Sequence, residues 1–387
     1  MAEYSARLRR PLESVIREGH PWVYRDALER FDAPPGATLQ IHDRRGRFLA
    51  TGLAEAGPIG ARIFSLQREE IGPRLFRARL SRAVESRRLF IGEDTTAYRL
   101  LHGEGDRLPG FVVDRYADHL VLRPDGAAAS ARAEELGEIL SDAAGELGVK
   151  TILLREGRGE RLRVRPLYGD APTGPVLVEE HGMKLYANLL RGQKTGLFLD
   201  HRESRRRVRA ISRNLRVLNL YSYNGGFSVA AALGGAQRVT SVDIAAEALD
   251  DAATNFEANG LSNDRHRRVP ADVARFLAED DEGPFDLVIA DPPSFAPNER
   301  AVEPALRNYR ALHHGSLSRV ITGGYYLAAS CSSHITQAAF EETVREAARE
   351  LGIVLQLVDR WGAPEDHPRL AAFPEGDYLS CALYRRL

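Results

Sequence analysis

Cysteine, methionine and tryptophan each occur only twice in 387 residues, and lysine only at Lys150, Lys184 and Lys194. Two cysteines, Cys331 and Cys381, cannot build a disulfide framework or a thiolate metal cluster. No run is apolar for long enough to span a bilayer, and Met1-Ala2-Glu3-Tyr4 lacks the apolar core of a signal peptide. The expectation is a soluble cytoplasmic protein of two or three domains, without a metal. With lysine so scarce, a single arginine carries little information and a retained lysine slightly more. A formal net charge of −1 argues against a uniformly basic nucleic-acid binder. The charge is uneven, however: residues 1–91 hold 17 Arg against 11 Asp or Glu. That excess suits a phosphate-contacting face or, more plainly, a solvated surface.

Residues 217–220 are short, apolar and bounded by a polar loop, as a buried parallel strand is. The loop ends in Asn224-Gly225-Gly226, where the backbone can turn tightly and approach a ligand. Residues 227–233 read as a small-residue helix and 238–242 as a second strand, with Asp243 just beyond it. In such βαβ units the acid accepts hydrogen bonds from a ribose. The fingerprint G-x-G-x-x-G is absent. That weakens a nicotinamide or flavin reading and favours S-adenosylmethionine, which has no pyrophosphate to cradle. A glycine turn in an ordinary doubly wound sheet is the alternative.

Residues 1–75 read as a small β-rich, barrel-like domain, with strands at 38–42, 48–53 and 61–65 and an aromatic loop at 19–24. Trp22 either stacks on a base or plugs that barrel. Residues 73–90 form an Arg-rich helical stretch. A central α+β domain spans 76–188. It contains strands near 98–101, 111–116, 119–122 and 151–155, an amphipathic helix over 130–148 and a flexible loop at 156–160. A hairpin pairs 176–180 with 183–188 across His181-Gly182. Residues 189–387 form the third domain. It opens with a polar glycine loop at 191–202, where Asp200 either caps the following helix or meets a ligand amine. Strands at 267–270, 285–290, 325–329, 353–360 and 378–383 alternate with helices at 246–259, 274–278, 307–317 and 337–350. The fold class is α/β, with a mostly parallel Rossmann-like sheet and an antiparallel strand at its edge.

Open sheets of this kind bind ligands beyond the carboxyl ends of their strands. Residues 219–226, Asp243, Asp272, Asp291 and Cys331 all fall at such ends. Asp291-Pro292-Pro293 cannot continue a central strand and makes a rigid, extended turn. In amino-methyltransferases an aromatic residue ends the corresponding tetrapeptide; here Phe295 comes one residue later. Cys331 follows the next strand. If those strands are neighbours, their backbones run about 5 Å apart and a thiolate and a carboxylate face one pocket. Methylation of pyrimidine carbon 5 needs that pair, because a thiolate must add to carbon 6 before carbon 5 becomes nucleophilic. A partly exposed strand-end thiol near backbone donors is readily held as thiolate. The alternative for Cys331, and the expectation for Cys381, is an inert buried thiol.

These residues resemble the ribosomal large subunit methyltransferase I family, 23S rRNA cytosine-C5 methyltransferases with an N-terminal PUA domain. The resemblance covers nearly the whole chain. Early in the chain it includes His20-Pro21-Trp22-Val23-Tyr24, Asp106-Arg107-Leu108-Pro109-Gly110-Phe111 and Glu179-Glu180-His181-Gly182-Met183-Lys184. Around the cofactor motifs it includes Gly192-Gln193-Lys194-Thr195-Gly196, Leu199-Asp200-His201-Arg202, Asn224-Gly225-Gly226-Phe227, Asp291-Pro292-Pro293 and Ser330-Cys331-Ser332. Near the C-terminus it includes Asp366-His367-Pro368 and Phe373-Pro374-Glu375-Gly376.

The resemblance implies a PUA barrel, a central α/β domain and a Rossmann-like class I methyltransferase domain. It implies that S-adenosyl-L-methionine is held by Lys194, Phe198, Asp200, Arg202, Asn219, Ser222, Asn224, Gly225, Asp243, Ile244, Asp272, Asp291 and Pro292. Asp243 would take the ribose and Asp272 the adenine. Cys331 would be the nucleophile, with Asp291 near N3 of the base, and Trp22 and Arg25 would touch RNA. Many cytosine-C5 RNA enzymes carry a second cysteine straight after the Asp-Pro-Pro-like motif. Ser294 stands there instead, so release uses another group. The implied partner is 23S rRNA or a large-subunit assembly intermediate, with no membrane and with a homodimer left open. The competing readings are an rRNA methyltransferase acting on another base atom and a non-catalytic RNA-binding assembly factor.

Overall fold

The computed structural model describes residues 4–157, 159–296 and 298–387. Residues 1–3, at the start of the leader reading, and Arg158, inside the expected 156–160 loop, lie outside the described residues. The chain forms two compact units. The first comprises Met1–Glu179, Ala187–Leu199 and Glu365–Gly376; the second comprises Glu180–Tyr186, Asp200–Pro364 and Asp377–Leu387.

Two five-stranded sheets build the first unit. One runs Tyr4–Arg7, Thr38–His42, Phe48–Ala54, Ile59–Ser65, Trp22–Tyr24 in spatial order. The segment expected to be an aromatic loop therefore contains a strand: Trp22–Tyr24 pairs antiparallel with Ile59–Ser65, Trp22 opposite Arg62. Three residues are too few to show alternation, and a distant partner makes them a strand. The other sheet runs Arg163–Tyr168, Thr151–Glu156, His119–Pro124, Phe111–Tyr116, Ala97–His102. Its His119–Pro124 and Thr151–Glu156 strands are parallel, so a crossover must join them. The expected single helix over 130–148 is three segments, Ala127–Ala131, Ala133–Asp142 and Ala144–Leu147. Arg132 makes the first break. Its guanidinium reaches the carbonyls of Gly36 at 3.3 Å and Ile71 at 2.8 Å, tertiary bonds that no local propensity announces.

The helix Pro73–Phe90 packs where the two sheets meet. Its Phe76 ring lies 6.1 Å from Phe64 of the first sheet and 5.4 Å from Phe111 of the second. Each large apolar side chain so buried contributes about 1.5–3 kcal/mol. Arg62 is 4% exposed, bonded to Glu55 at 2.9 Å, to Glu104 and to Asp125, with its guanidinium over the Trp22 ring. Removing one partner of a buried ionic cluster strands the rest, so Arg62→Met should cost about 3–5 kcal/mol in chemical denaturation. A loss below about 1 kcal/mol would show that Glu55 and Glu104 re-solvate on their own.

The seven strands of the second unit's sheet are β1 (Arg216–Leu220), β2 (Arg238–Asp243), β3 (His266–Pro270), β4 (Phe285–Ala290), β5 (Val320–Ser330), β6 (Leu355–Trp361) and β7 (Ser380–Arg386). Their spatial order is β3-β2-β1-β4-β5-β7-β6, and β7 runs opposite to the other six. The helices are α1 (Arg202–Ile211), α2 (Gly226–Leu233), α3 (Ala246–Ala258), α4 (Val273–Glu279), α5 (Val302–Ser318) and α6 (Gln337–Glu350). Strand order reverses between β1 and β4, which makes the carboxyl edge there the switch-point crevice. α5 begins earlier than expected because Pro304 sits in its first turn, where a missing N–H has no intrahelical partner to lose. β5 also begins earlier, through a register shift around Gly323 at φ 83°. His181 and Gly182 are both left-handed, as a two-residue type I′ hairpin turn requires.

Candidate functional site

The loop after β1 is held in an uncommon backbone conformation. Tyr221, Tyr223 and Gly225 all have positive φ, at 56°, 47° and 76°. Left-handed non-glycine residues gather at ligand sites. A Cβ on Gly225 would stand 2.5 Å from the Ala252 Cβ of α3, so only glycine fits. Beside it Ser222 is 6% exposed, and its Oγ has no hydrogen-bond partner among the described residues. A buried hydroxyl left so is costly unless a ligand satisfies it. Asp243 ends β2, and its carboxylate accepts the N–H groups of Tyr223 at 2.8 Å and Ala245 at 2.9 Å. Each oxygen keeps a second lone pair. Ile244, next in the chain, is 76% exposed, an apolar side chain presented at the edge.

Other members of the expected set also serve the framework. Asp272 caps α4 by accepting the Arg275 N–H at 3.0 Å. Asn219 donates its amide to Ser228 at 2.9 Å, at the head of a buried chain through Ser241 to His266 that ties β1, α2, β2 and β3. Asn224 is buried, and its carbonyl accepts from Asn255 of α3 at 2.9 Å.

β4 and β5 are parallel neighbours with Ala290 opposite Ala328, so Asp291 and Cys331 leave the sheet on the same edge, as the sequence led us to expect. Three side chains hold the two exit loops together. Tyr309 of α5 reaches the Ser330 hydroxyl at 2.8 Å and the Ser332 hydroxyl at 3.0 Å, gripping both sides of Cys331. Burial above all keeps that phenol protonated, pushing its pKa up. Ser294 meets Ser332 at 3.1 Å, bridging the Asp-Pro-Pro loop to the Cys331 loop. Phe295 packs on Tyr309, ring centroids 4.8 Å apart. Cys331 is half-buried and Cys381 fully buried.

The partner of Asp291 went unforeseen. His201 is 2% exposed, and its Nε2 lies 3.2 Å from the Asp291 carboxylate. Its Nδ1 lies 3.2 Å from Ser204 Oγ, which also accepts the Trp361 indole N–H at 2.8 Å and lies 3.7 Å from Cys381 Sγ. A hydroxyl with two lone pairs can accept from the indole and from a protonated Nδ1 while donating to the sulfur. The network therefore suits an imidazolium with both ring N–H groups donating. Burial by itself would lower the imidazole pKa, but the Asp291 carboxylate, with a smaller contribution from Cys381, raises it to about 10. Nothing in Leu199-Asp200-His201-Arg202 distinguishes the histidine locally; the 3₁₀ turn Leu199–His201 aims it. Asp200 instead accepts the Tyr378 hydroxyl at 2.9 Å, and Arg202 is buried.

Four expected residues lie in the first unit. Lys194 sits over the Phe198 ring at 4.5 Å. Trp22 donates its indole N–H to Glu104 at 2.8 Å and packs edge-on against Phe373. Arg25 bonds the carbonyls of Glu55 and Gly57.

Such an edge, on a sheet of this strand order, belongs to S-adenosylmethionine-dependent methyltransferases. The family model of that description matches residues 162–377, and a PUA-like domain model matches residues 7–66. A ribosomal RNA large subunit methyltransferase from Deinococcus radiodurans is 38% identical over 96% of this chain and 95% of its own length. A ribosomal RNA large subunit methyltransferase I from Cronobacter sakazakii is 36% identical over 95% of each chain. The chain belongs to the ribosomal RNA large subunit methyltransferase I family, and its cofactor is S-adenosylmethionine. Among solved structures, a methyltransferase crystallised with SAH shares the fold, with a TM-score of 0.88 and 23% identity over all of both chains. No helix among the described residues is long and apolar enough to cross a membrane.

His201 carries a pH signature. Its pKa is near 6.5 in the unfolded chain and raised in the folded one, so its contribution to stability is complete below about pH 6.5. That contribution fades as pH climbs towards about 10. His201→Gln should lose stability at pH 6.5 and flatten the decline between pH 6.5 and 10, read by thermal denaturation. Equal slopes in the two proteins would mean that the pair holds no charge.

Proposed function

We propose that the protein forms 5-methylcytosine in large-subunit ribosomal RNA, with Cys331 as the nucleophile. The observation that carries this reading is the convergence of Cys331 and Asp291 at the ends of adjacent parallel strands, their loops held together by Tyr309 and by the Ser294–Ser332 contact. The names of the relatives support the ribosomal substrate. The unpartnered Ser222 hydroxyl, the required glycine at 225 and the exposed Ile244 fit the cofactor: Ser222 and the loop at its methionine end, Asp243 at the ribose, Ile244 against the adenine. Bound there, S-adenosylmethionine supplies an electrophilic methyl group to carbon 5.

The chain's own residues do the rest. The Cys331 thiolate adds to carbon 6 of an unstacked cytosine, and the displaced electron pair makes carbon 5 nucleophilic. Charge gathers at N3, which takes up the one proton of the pair, passed from the His201 imidazolium through the Asp291 carboxylate. Solvent water takes the carbon-5 hydrogen as a proton, the carbon–sulfur bond breaks and the thiolate returns. N3 then gives its proton back to the pair. With serine at 294 no second thiol takes part in release, and that hydroxyl is engaged with Ser332.

Cys331→Ser should abolish methyl transfer while leaving cofactor affinity within about 1 kcal/mol, whereas Cys381→Ser should affect stability alone. RNA containing 5-fluorocytosine should trap wild-type protein as a covalent adduct at Cys331, because the fluorine cannot leave as a proton does. Methylation by the Cys331→Ser protein, with no adduct in wild type, would point to another base atom. Asp243→Ala should weaken cofactor binding by about 1–3 kcal/mol in calorimetry; unchanged affinity would leave Asp243 as a turn-holding residue only.

A further inference from the structure

The first unit gathers arginines in one groove that, among the described residues, no ion pair neutralises. A cavity of about 960 Å³ lies between the end of the strand Ile59–Ser65 and the helix Pro73–Phe90, and Arg74, Arg79, Arg82 and Arg107 all line it. Arg74 and Arg82 stand two turns apart on one helix face, roughly 12 Å along the axis, with the small Ala78 between them. Both are exposed, as is Arg107. Among the described residues none of the three makes an ion pair. This contrasts with Arg77 and Arg87 of the same helix, which pair with Asp142 and Asp106.

Arg79 lies at the base of the cluster and is 6% exposed. Its guanidinium donates to the carbonyl oxygens of Phe64 and Arg107 and faces the Phe64 ring; among the described residues no carboxylate forms an ion pair with it. Burial first, then the charge of Arg107, push its pKa down to about 10 against the pull of Glu69, with a smaller push from Arg82. Glu69 and Glu70 share the lining, yet neither pairs with any of the four arginines. A buried cation crowded by like charges is stabilised by an anion, and the groove offers space for one. Separated guanidinium groups along a helix suit several anionic centres in a row, as in a phosphodiester backbone, better than one compact anion.

We propose that this groove binds the phosphate backbone of the RNA substrate, through Arg74, Arg82 and Arg107 arranged over the fixed Arg79. The proposal rests on the RNA-methylating reading above. It accounts for the arginine excess of residues 1–91 as a phosphate-binding face, with contacts that carry no sequence preference.

The test uses the full-length protein, a large-subunit rRNA fragment and fluorescence anisotropy over a potassium chloride series. Arg74→Gln, Arg82→Gln and Arg107→Gln are combined, and Arg88→Gln, an exposed arginine of the same helix outside the groove, is the control. The triple variant should bind RNA at least about tenfold more weakly near 0.1 M salt, with a log–log salt slope shallower by roughly 2, since each single-strand phosphate contact contributes about 0.7. Adenosylhomocysteine affinity and thermal stability should stay as in wild type, and so should the turnover rate at saturating RNA, while KM rises. Arg88→Gln should change none of these. Wild-type affinity and slope in the triple variant would overturn the proposal. So would an equal loss in Arg88→Gln, which would reduce the effect to net charge. Inorganic phosphate should displace RNA no better than chloride of equal ionic strength; tight, saturable displacement would identify a free-phosphate site instead. If wild type itself bound no rRNA, the RNA reading would fail and the groove proposal with it.

Discussion

The site depends on the parallel pairing of β4 with β5. Parallel strands present the same end to the same edge, and with Ala290 opposite Ala328 the chain delivers Asp291 and Cys331 to one crevice, 40 residues apart in sequence. An antiparallel pairing would send them to opposite ends of the sheet. β1 and β2 join the same parallel run, so the glycine loop and Asp243 arrive at that edge too. Only β7 reverses, and its reversal brings Cys381 and, through β6, Trp361 under the His201 turn.

Around this edge the protein adds buried hydroxyls and the His201–Asp291 ion pair to apolar packing. Tyr309 holds the hydroxyls of both neighbours of Cys331, which fixes the chain on either side of that half-buried side chain. His201 is fixed on its other side by Ser204, itself bonded to Trp361. Fully partnered polar networks of this kind are rigid, because any displaced member would leave a buried group unsatisfied. Within the loop Ser222 is an exception among the described residues, and under the proposed function the cofactor would satisfy it.

The first unit treats arginine in two ways. Arg62 and Arg87 are almost wholly buried, and each is bound by carboxylates that tie distant segments together; Arg87 grips Asp106 with both terminal nitrogens and reaches the Asp366 carbonyl. Arg74, Arg82 and Arg107 are exposed and unpaired among the described residues. Composition counts both kinds alike, and only their surroundings separate structural cations from those available to an anionic partner.

The local chain determined much of this protein by itself. Short apolar runs, glycine turns and polar strand ends were enough to place β1, β2, β4 and β5 and to bring Asp243, Asp291 and Cys331 to one edge, because alternation and turn chemistry are properties of neighbouring residues. The His181-Gly182 turn was legible for the same reason. Tertiary structure decided what depends on distant partners. Trp22–Tyr24 is a strand only because Ile59–Ser65 lies beside it, and the 130–148 helix breaks where Arg132 reaches Gly36 and Ile71. Tyr309 reads in sequence as one more apolar helix position, and His201 as one polar residue among four. Their contacts with Ser330, Ser332 and Asp291 span from 21 to 90 residues of chain, and no local pattern encodes an encounter at that separation.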